Sequence, residues 1–163
     1  EHMPIKVGDK LPSATFRVMT AEGPKPKTTD DIFKGKKVAL FAVPGAFTPT
    51  CSNLHLPSFL NNADAFKAKG VDTIAVTGVN DVFVMEAWKK ANNAGGKVEF
   101  LADGNGEFAK GVDMAFDGSG NGLGTRSKRY SMPVEDGVVK KFNIEEAPGK
   151  CDVSGGQALL GQI

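Results

Sequence analysis

Cysteine is scarce in this 163-residue chain: there are two, Cys51 and Cys151. Two thiols are too few for the disulfide framework of a small secreted domain, which points to a reducing compartment, the cytoplasm by default. Histidine is as rare, with only His2 and His55, and two cysteines with one internal histidine make no evident tetrahedral zinc site. Net charge is small, +1 at pH 7, so the charge balance calls for neither a nucleic acid nor an acidic membrane as partner. No apolar run approaches the ~20 residues that span a bilayer, and no basic start leads into an apolar stretch as in a secretory signal. Glu1-His2 ahead of Met3 reads as a remnant or a processed end, which leaves an earlier transit peptide, and an organellar setting, open. Internal repeats and low-complexity segments are absent. What remains fits one domain over residues 1–163, long enough to bury a substantial core.

The chemistry concentrates in Val38 to Cys51, VALFAVPGAFTPTC. Six apolar residues, Val38 to Val43, read as a strand buried on both faces. Pro44 and Gly45 break it as turn residues do. Thr48-Pro49 reads as a helix start, with Thr48 at the N-cap and Pro49 at the first helical position, where a missing N–H is no loss. Cys51 then stands third in the helix, among unpaired N–H groups at the positive end of the helix dipole. A free thiol titrates near ~8.5, and such a position lowers that by one to several units. Each unit is worth about 1.4 kcal/mol in favour of the thiolate. A thiolate at the tip of a strand–loop–helix turn, partly open to solvent, is a nucleophile; the alternative is a buried cysteine acting as a small hydrophobe.

Around this stretch the pattern alternates between strand and helix. Ala14–Met19 predicts a lead-in strand, Gly23-Pro-Lys-Pro26 a turn, and Thr29-Asp-Asp31 a cap for a brief turn that returns Ile32 and Phe33 to the core. Pro49 to about Lys69 reads as helical on the stripe Leu54, Phe59, Leu60, Ala63 and Phe66, with a kink or break at Pro57. Val71–Thr77 is a second buried strand. Asn80-Asp81 caps a helix to about Asn93 whose stripe is Val82, Met85 and Trp88. Lys97–Ala102 gives a third strand, and Glu107–Lys110 a short helix. Asp136-Gly137 is a strong hairpin signal between Arg129–Val134 and Val138–Asn143, and Ser154 starts a closing helix ending near Gln162. This order predicts an α/β fold with a mixed central sheet flanked by helices and an N-terminal extension. The glycine-rich run Asp117–Gly124 lacks the Gly-Lys-Ser/Thr ending of a phosphate loop. Lys128 stands where a calcium loop needs its glutamate. It reads as a mobile loop.

Pro44, Thr48 and Cys51 match the Pro-x-x-x-Thr-x-x-Cys motif of peroxiredoxins, and PGAFTPTCSNLHLPSF resembles the type-two/type-five branch of that family. The resemblance continues through VNDVFVMEAW, KVEFLAD and KRYSMPVEDGVVKKFN, most of the chain. It implies a thioredoxin-like fold, a thiol-dependent peroxidase acting on hydrogen peroxide and small organic hydroperoxides, and a homodimer. No metal or organic cofactor is required. By the resemblance, Thr48 orients the peroxide, Pro44 walls the thiol pocket, and Arg129 holds the thiolate and the charge developing on the peroxide oxygens. Without the resemblance Arg129 reads as one more solvated cation of the run Arg126-Ser-Lys-Arg129, whose Arg126 and Lys128 are taken as surface charges. His55, four residues past Cys51, matches the branch outside its core catalytic positions. A Cys–His hydrolase would need that ring as base, which a helix N-terminal thiol does not.

Closing the cycle leaves two routes. Cys151 is either a bystander or a resolving thiol that pairs with Cys51, as in animal type-five enzymes. The plant type-two enzymes carry their resolving cysteine in the strand before Val-Asn-Asp, where this chain has Val76, so that disulfide cannot form. The reading leans to an external reductant, glutathione with glutaredoxin, or thioredoxin. The alternative from another class is a redox sensor or binding module of the same fold, oxidised once at Cys51 without efficient turnover.

Overall fold

The computed structural model describes residues 4–163; the expectation about Glu1-His2-Met3 lies outside them. Strands β1 (Thr15–Thr20) and β2 (Gly23–Thr28) lead to helix α1 (Thr29–Phe33) and strand β3 (Lys37–Ala42). Helices α2 (Leu56–Leu60) and α3 (Ala63–Ala68) follow, then β4 (Thr73–Gly78), α4 (Val82–Ala91), β5 (Glu99–Ala102) and α5 (Glu107–Gly111). The last third holds β6 (Ala115–Asp117), β7 (Thr125–Ser127), β8 (Tyr130–Glu135), β9 (Val138–Val139), β10 (Asn143–Ile144) and α6 (Gly156–Leu160). The main sheet runs β10-β8-β3-β4-β5-β1-β2, with β9 also paired to β8. Pairings β3–β4 and β4–β5 are parallel and the rest antiparallel, the mixed sheet that the element order predicts.

Strand β3 lies inside that sheet and is buried on both faces, as its unbroken apolar run requires. Ala39 and Phe41, with Val43 just beyond the strand, enter a core with Leu56 and Phe59 of α2, Phe66 of α3, Met85 and Trp88 of α4, and Leu159 of α6. Val38, Leu40 and Ala42 enter the opposite core with Ile32 and Phe33 of α1 and Phe108 of α5. Period-two alternation thus divides one strand between two cores. Among the described residues no helix is long and apolar enough to cross a membrane.

Several local expectations shift. Gly23-Pro-Lys-Pro26 is not a turn: Ala21-Glu22 turns the chain, and β2 pairs with β1 from Thr20↔Gly23 to Thr15↔Thr28. Its two prolines are tolerated because β2 is an edge strand, where an outward nitrogen needs no partner. The cap of α1 is Thr28, in a reciprocal capping box with Asp31. Leu54 is 56% exposed: it stands five residues before Phe59, off the helical face, which His55 and Leu56 occupy instead. The glycine-rich run is the loop that closes the two-stranded hairpin β6–β7, with a 3-10 turn over Ser119–Asn121. Asp136 and Gly137, at φ 49° and 78°, make the two-residue β8–β9 turn whose left-handed backbone favours Asp-Gly. The closing helix is shorter than predicted. Its N-cap is Gly155, and Ser154 bonds elsewhere.

Candidate active site

The helix start falls where the sequence places it. Pro49 and Thr50 are the first helical residues, and Ser52 N–H donates to Thr48 O at 2.9 Å. The Thr48 hydroxyl, however, does not cap N–H groups; it donates to Gly45 O at 2.7 Å, which leaves its lone pairs free of that bond. From Cys51 to His55 the helix widens into a π turn, closed by Leu56 N–H donating to Cys51 O. Pro57 stands just beyond it. Proline has no N–H to give and its ring crowds the carbonyl four residues back, so the preceding turn takes up the misfit. The chain stays helical through Pro57 and breaks only at Asn61-Asn62.

The loop into the helix is held from three sides. Ala46 N–H donates to Asn80 Oδ1 at 2.9 Å, beside the cap that Asp81 supplies to α4. Arg126 is not a free surface charge: its Nη1 donates to Pro44 O at 3.2 Å and its Nε to Leu123 O at 2.9 Å. The hairpin β6–β7 therefore delivers a side chain that fixes the Pro44 carbonyl. Lys128 is exposed. Between these anchors Phe47 sits at φ 65°, a left-handed conformation worth of order 1–3 kcal/mol of strain in a non-glycine residue, and one that clusters at functional sites. On the helix, Trp88 Nε1–H donates to Ser52 Oγ at 3.0 Å.

Cys51 is buried, with no solvent exposure, against the expectation of a thiol partly open to solvent. It is not sealed in hydrocarbon. Arg129, 2% exposed, sends Nη2–H to Cys51 Sγ at 3.0 Å. The same guanidinium donates Nη1–H to His55 Nδ1 at 2.8 Å, and Nε–H and Nη2–H to Pro148 O at 3.2 and 3.0 Å. His55 Nε2 lies 2.9 Å from Ser154 O. A carbonyl only accepts, so Nε2 carries the proton and Nδ1 presents a lone pair to Arg129. Burial first, then the Arg129 charge, push His55 down to about 3, although the Ser154 carbonyl pulls it up. The ring is neutral at physiological pH. It orients the arginine, and its Nδ1 lone pair is already taken by Arg129.

Cys151 is half-buried and free. Burial above all pushes its thiol up, as do Glu145 and Asp152, against a lowering by the nearby Arg129 charge. It lies on a segment laid over the site: Thr50 Oγ1 donates to Gly149 O at 3.1 Å, and Pro148 O faces Arg129. Of the residues singled out in the sequence, the structure thus brings Cys51 and Arg129 into direct contact. It sets Thr48 and Pro44 on the loop that leads in, and places Cys151 on the covering segment. Asn80, Arg126 and Glu145 were missed. Nothing in their local sequence marks them, because their partners lie 34, 82 and 7–9 residues away. Among the described residues no group of three or more His, Cys, Asp or Glu could hold a metal ion.

A lone buried thiol hydrogen-bonded to a guanidinium, at the start of a helix that follows a central strand of a mixed α/β sheet, defines a thiol-based redox protein of thioredoxin-like fold. The Redoxin family profile matches residues 6–160. The chain is 48% identical over 146 residues to the chloroplastic peroxiredoxin-2E of Arabidopsis thaliana, an alignment covering 87% of this chain and 62% of that protein. It is 44% identical to peroxiredoxin-2C of Oryza sativa subsp. japonica, covering 96% of this chain and 97% of that one. The crystal structure of reduced Prx3 from Vibrio vulnificus in complex with hydrogen peroxide superposes with a TM-score of 0.92 at 47% identity, over 97% of this chain and 98% of that one. The chain belongs to the Redoxin family and, within it, to the type-two/type-five peroxiredoxins, which are thiol-dependent peroxidases.

Proposed function

We propose that Cys51 is the thiol that reduces hydrogen peroxide and small organic hydroperoxides, with Arg129, Thr48 and Pro44 forming the site around it. The observation that carries this reading is the 3.0 Å contact from Arg129 Nη2–H to Cys51 Sγ. An always-ionised donor at that distance in a water-poor site favours negative charge on sulfur. The Cys51 thiolate attacks one peroxide oxygen and the O–O bond breaks. Sulfur becomes a sulfenic acid, and the departing hydroxide or alkoxide takes a proton to leave as water or an alcohol. The guanidinium stabilises the charge on the departing oxygen, and Thr48 Oγ1, its proton committed to Gly45 O, accepts from the peroxide O–H.

The sulfenic acid is returned to thiol by an external thiol, glutathione with glutaredoxin or else thioredoxin. One thiol displaces water to form a mixed disulfide, and a second releases Cys51. A half-buried Cys151 whose thiol is pushed up is a poor nucleophile in the folded chain, which supports the external route over a Cys51–Cys151 disulfide. The reading takes residues 1–163 as one domain. It also makes the chain a homodimer: Phe47, Leu54 and Phe83 are 54, 56 and 65% exposed, and the Ala46–Asn80 bond links the Phe47 loop to the start of α4, which carries Phe83. Sedimentation velocity tests that state. The setting is a reducing compartment, the cytoplasm on composition, although the Arabidopsis relative is named chloroplastic.

Peroxide consumption with glutathione and glutaredoxin tests the assignment, comparing the wild type with Cys51→Ser. The expected result is loss of activity in the variant; persisting turnover would end the assignment. Mass spectrometry after peroxide treatment separates a Cys51–Cys151 disulfide from a mixed disulfide with glutathione. Rapid oxidation of Cys51 with no turnover by any donor would instead favour a redox sensor.

A further inference from the structure

A hydrogen-bonded circuit runs behind the active site and closes on Glu145. This carboxylate, 9% exposed, accepts at Oε2 from Asp152 N–H at 2.8 Å, Ser154 N–H at 2.7 Å and Ser154 Oγ–H at 2.6 Å. Its backbone N–H donates to Arg129 O at 3.0 Å. Ser154 in turn offers its carbonyl to His55 Nε2, and His55 Nδ1 accepts from the Arg129 guanidinium. Ser154, His55 and Arg129 are 0–2% exposed, whereas Asp152, which gives only its backbone N–H, is exposed. The circuit therefore leaves Arg129 on one side through its backbone and returns to it through its side chain.

We infer that Glu145 is a positioning residue for peroxide reduction, which acts on Cys51 through Ser154, His55 and the Arg129 guanidinium. One charged oxygen gathers three donors from the 152–154 turn, and charge-assisted bonds of this kind are about twice as strong as neutral ones. That fixes where the Ser154 carbonyl points. A carbonyl in this place sets the His55 tautomer, as the partner of a metal-bound histidine sets that ring's. The tautomer sets whether Nδ1 can receive Arg129. If the turn swings away, the ring is free to place its proton on Nδ1, which would then meet Arg129 donor to donor. The guanidinium then loses one of the contacts that keep it on the sulfur. The carboxylate touches neither thiol nor substrate.

The inference rests on Cys51 being the reacting thiol, and the test separates the two. The variants are Glu145→Ala and Glu145→Gln, the second retaining an acceptor oxygen. Three quantities are read: the rate of Cys51 oxidation by hydrogen peroxide in a single turnover, the pH profile of Cys51 alkylation by iodoacetamide followed on the Cys51 peptide by mass spectrometry, and the melting temperature. In Glu145→Ala the oxidation rate should fall roughly tenfold, within the usual range for coupled sites. The alkylation profile should move to higher pH, and Glu145→Gln should recover most of both. His55→Gln combined with Glu145→Ala should be no slower than the slower single variant, because both act on one path. A lowered melting temperature with unchanged oxidation rate and alkylation profile would reduce Glu145 to a structural latch and overturn the inference. So would additive effects in the double variant. Failure of the wild type to be oxidised at Cys51 would strike the proposed function instead. Should Glu145→Ala not fold, His55→Leu carries the test: an oxidation rate and alkylation profile unchanged in that variant would overturn the inference equally, because the path from Ser154 to Arg129 runs through the ring.

Discussion

Acidification should destabilise this protein through His55 before most of its carboxylates titrate. The ring is fully buried, stacked at a tilt 4.8 Å from Phe41, and faces the Arg129 guanidinium across 2.8 Å. Protonating it would place two cations against each other with little water between them. The unfolded chain takes up this proton near the ordinary value of 6.5, the folded chain only near about 3. The stability contributed by the neutral ring is therefore complete above 6.5 and is lost as pH falls from there towards 3. At about 1.4 kcal/mol per unit, going from pH 7 to pH 4 removes roughly 3 kcal/mol from the unfolding free energy. Urea unfolding at several pH values, on the wild type and on His55→Gln, isolates the effect. The amide carries a donor and an acceptor and does not titrate, while every carboxylate is common to both chains. The variant's stability should fall less over this range, by about 3 kcal/mol. Parallel curves would refute the argument, because they would mean that the ring carries the same charge in both states. Activity adds a second view: a protonated His55 cannot accept from Arg129, so peroxide reduction should fail in acid before unfolding does.

Two further substitutions probe the site and its support. Arg129→Met removes a charge-assisted bond to sulfur, worth about 1.5–3 kcal/mol, and should slow Cys51 oxidation roughly tenfold to a hundredfold. Stopped-flow fluorescence of the single tryptophan, Trp88, whose ring N–H bonds Ser52 beside Cys51, gives the rate; an unchanged rate would count against the thiolate–guanidinium pairing. Gly156→Ala should cost about 1–3 kcal/mol or more, as overpacking does. A methyl there would fall inside contact distance of the Ser58 carbonyl and crowd Phe59 N, forcing α6 off the active-site helix. A urea midpoint close to wild type would contradict that packing.

The local patterns of the sequence proved legible where neighbours along the chain decide the outcome. The run at β3 announced a strand buried on two faces, Thr48-Pro49 the start of a helix, Asp81 the cap of α4, and Asp136-Gly137 a tight hairpin. Such signals depend on φ preference, side-chain period and local hydrogen bonding, all satisfied within a few residues. The misreadings have equally specific causes. Prolines in Gly23-Pro-Lys-Pro26 suggest a turn unless the strand is known to lie at a sheet edge. Leu54 looks like core by composition, yet the helix presents it to solvent. Thr48 looks like an N-cap, yet its proton goes to Gly45 O.

The site divides along the same line. The cysteine's place at the third residue of a helix was set by the sequence alone, since Pro44, Thr48 and Pro49 are within seven residues of it. That Arg129 meets it from 78 residues away was available only through resemblance to a family. The antiparallel register of β3 against β8, Ala42 opposite Tyr130, is what carries that arginine to the end of the central strand where the helix begins. Tertiary structure alone decided that the thiol would be covered, that Arg126 would hold the Pro44 carbonyl, that His55 would accept from the guanidinium, and that Glu145 would gather the 152–154 turn behind it. Contacts between distant segments depend on how the sheet is threaded, and no stretch of local sequence encodes that order.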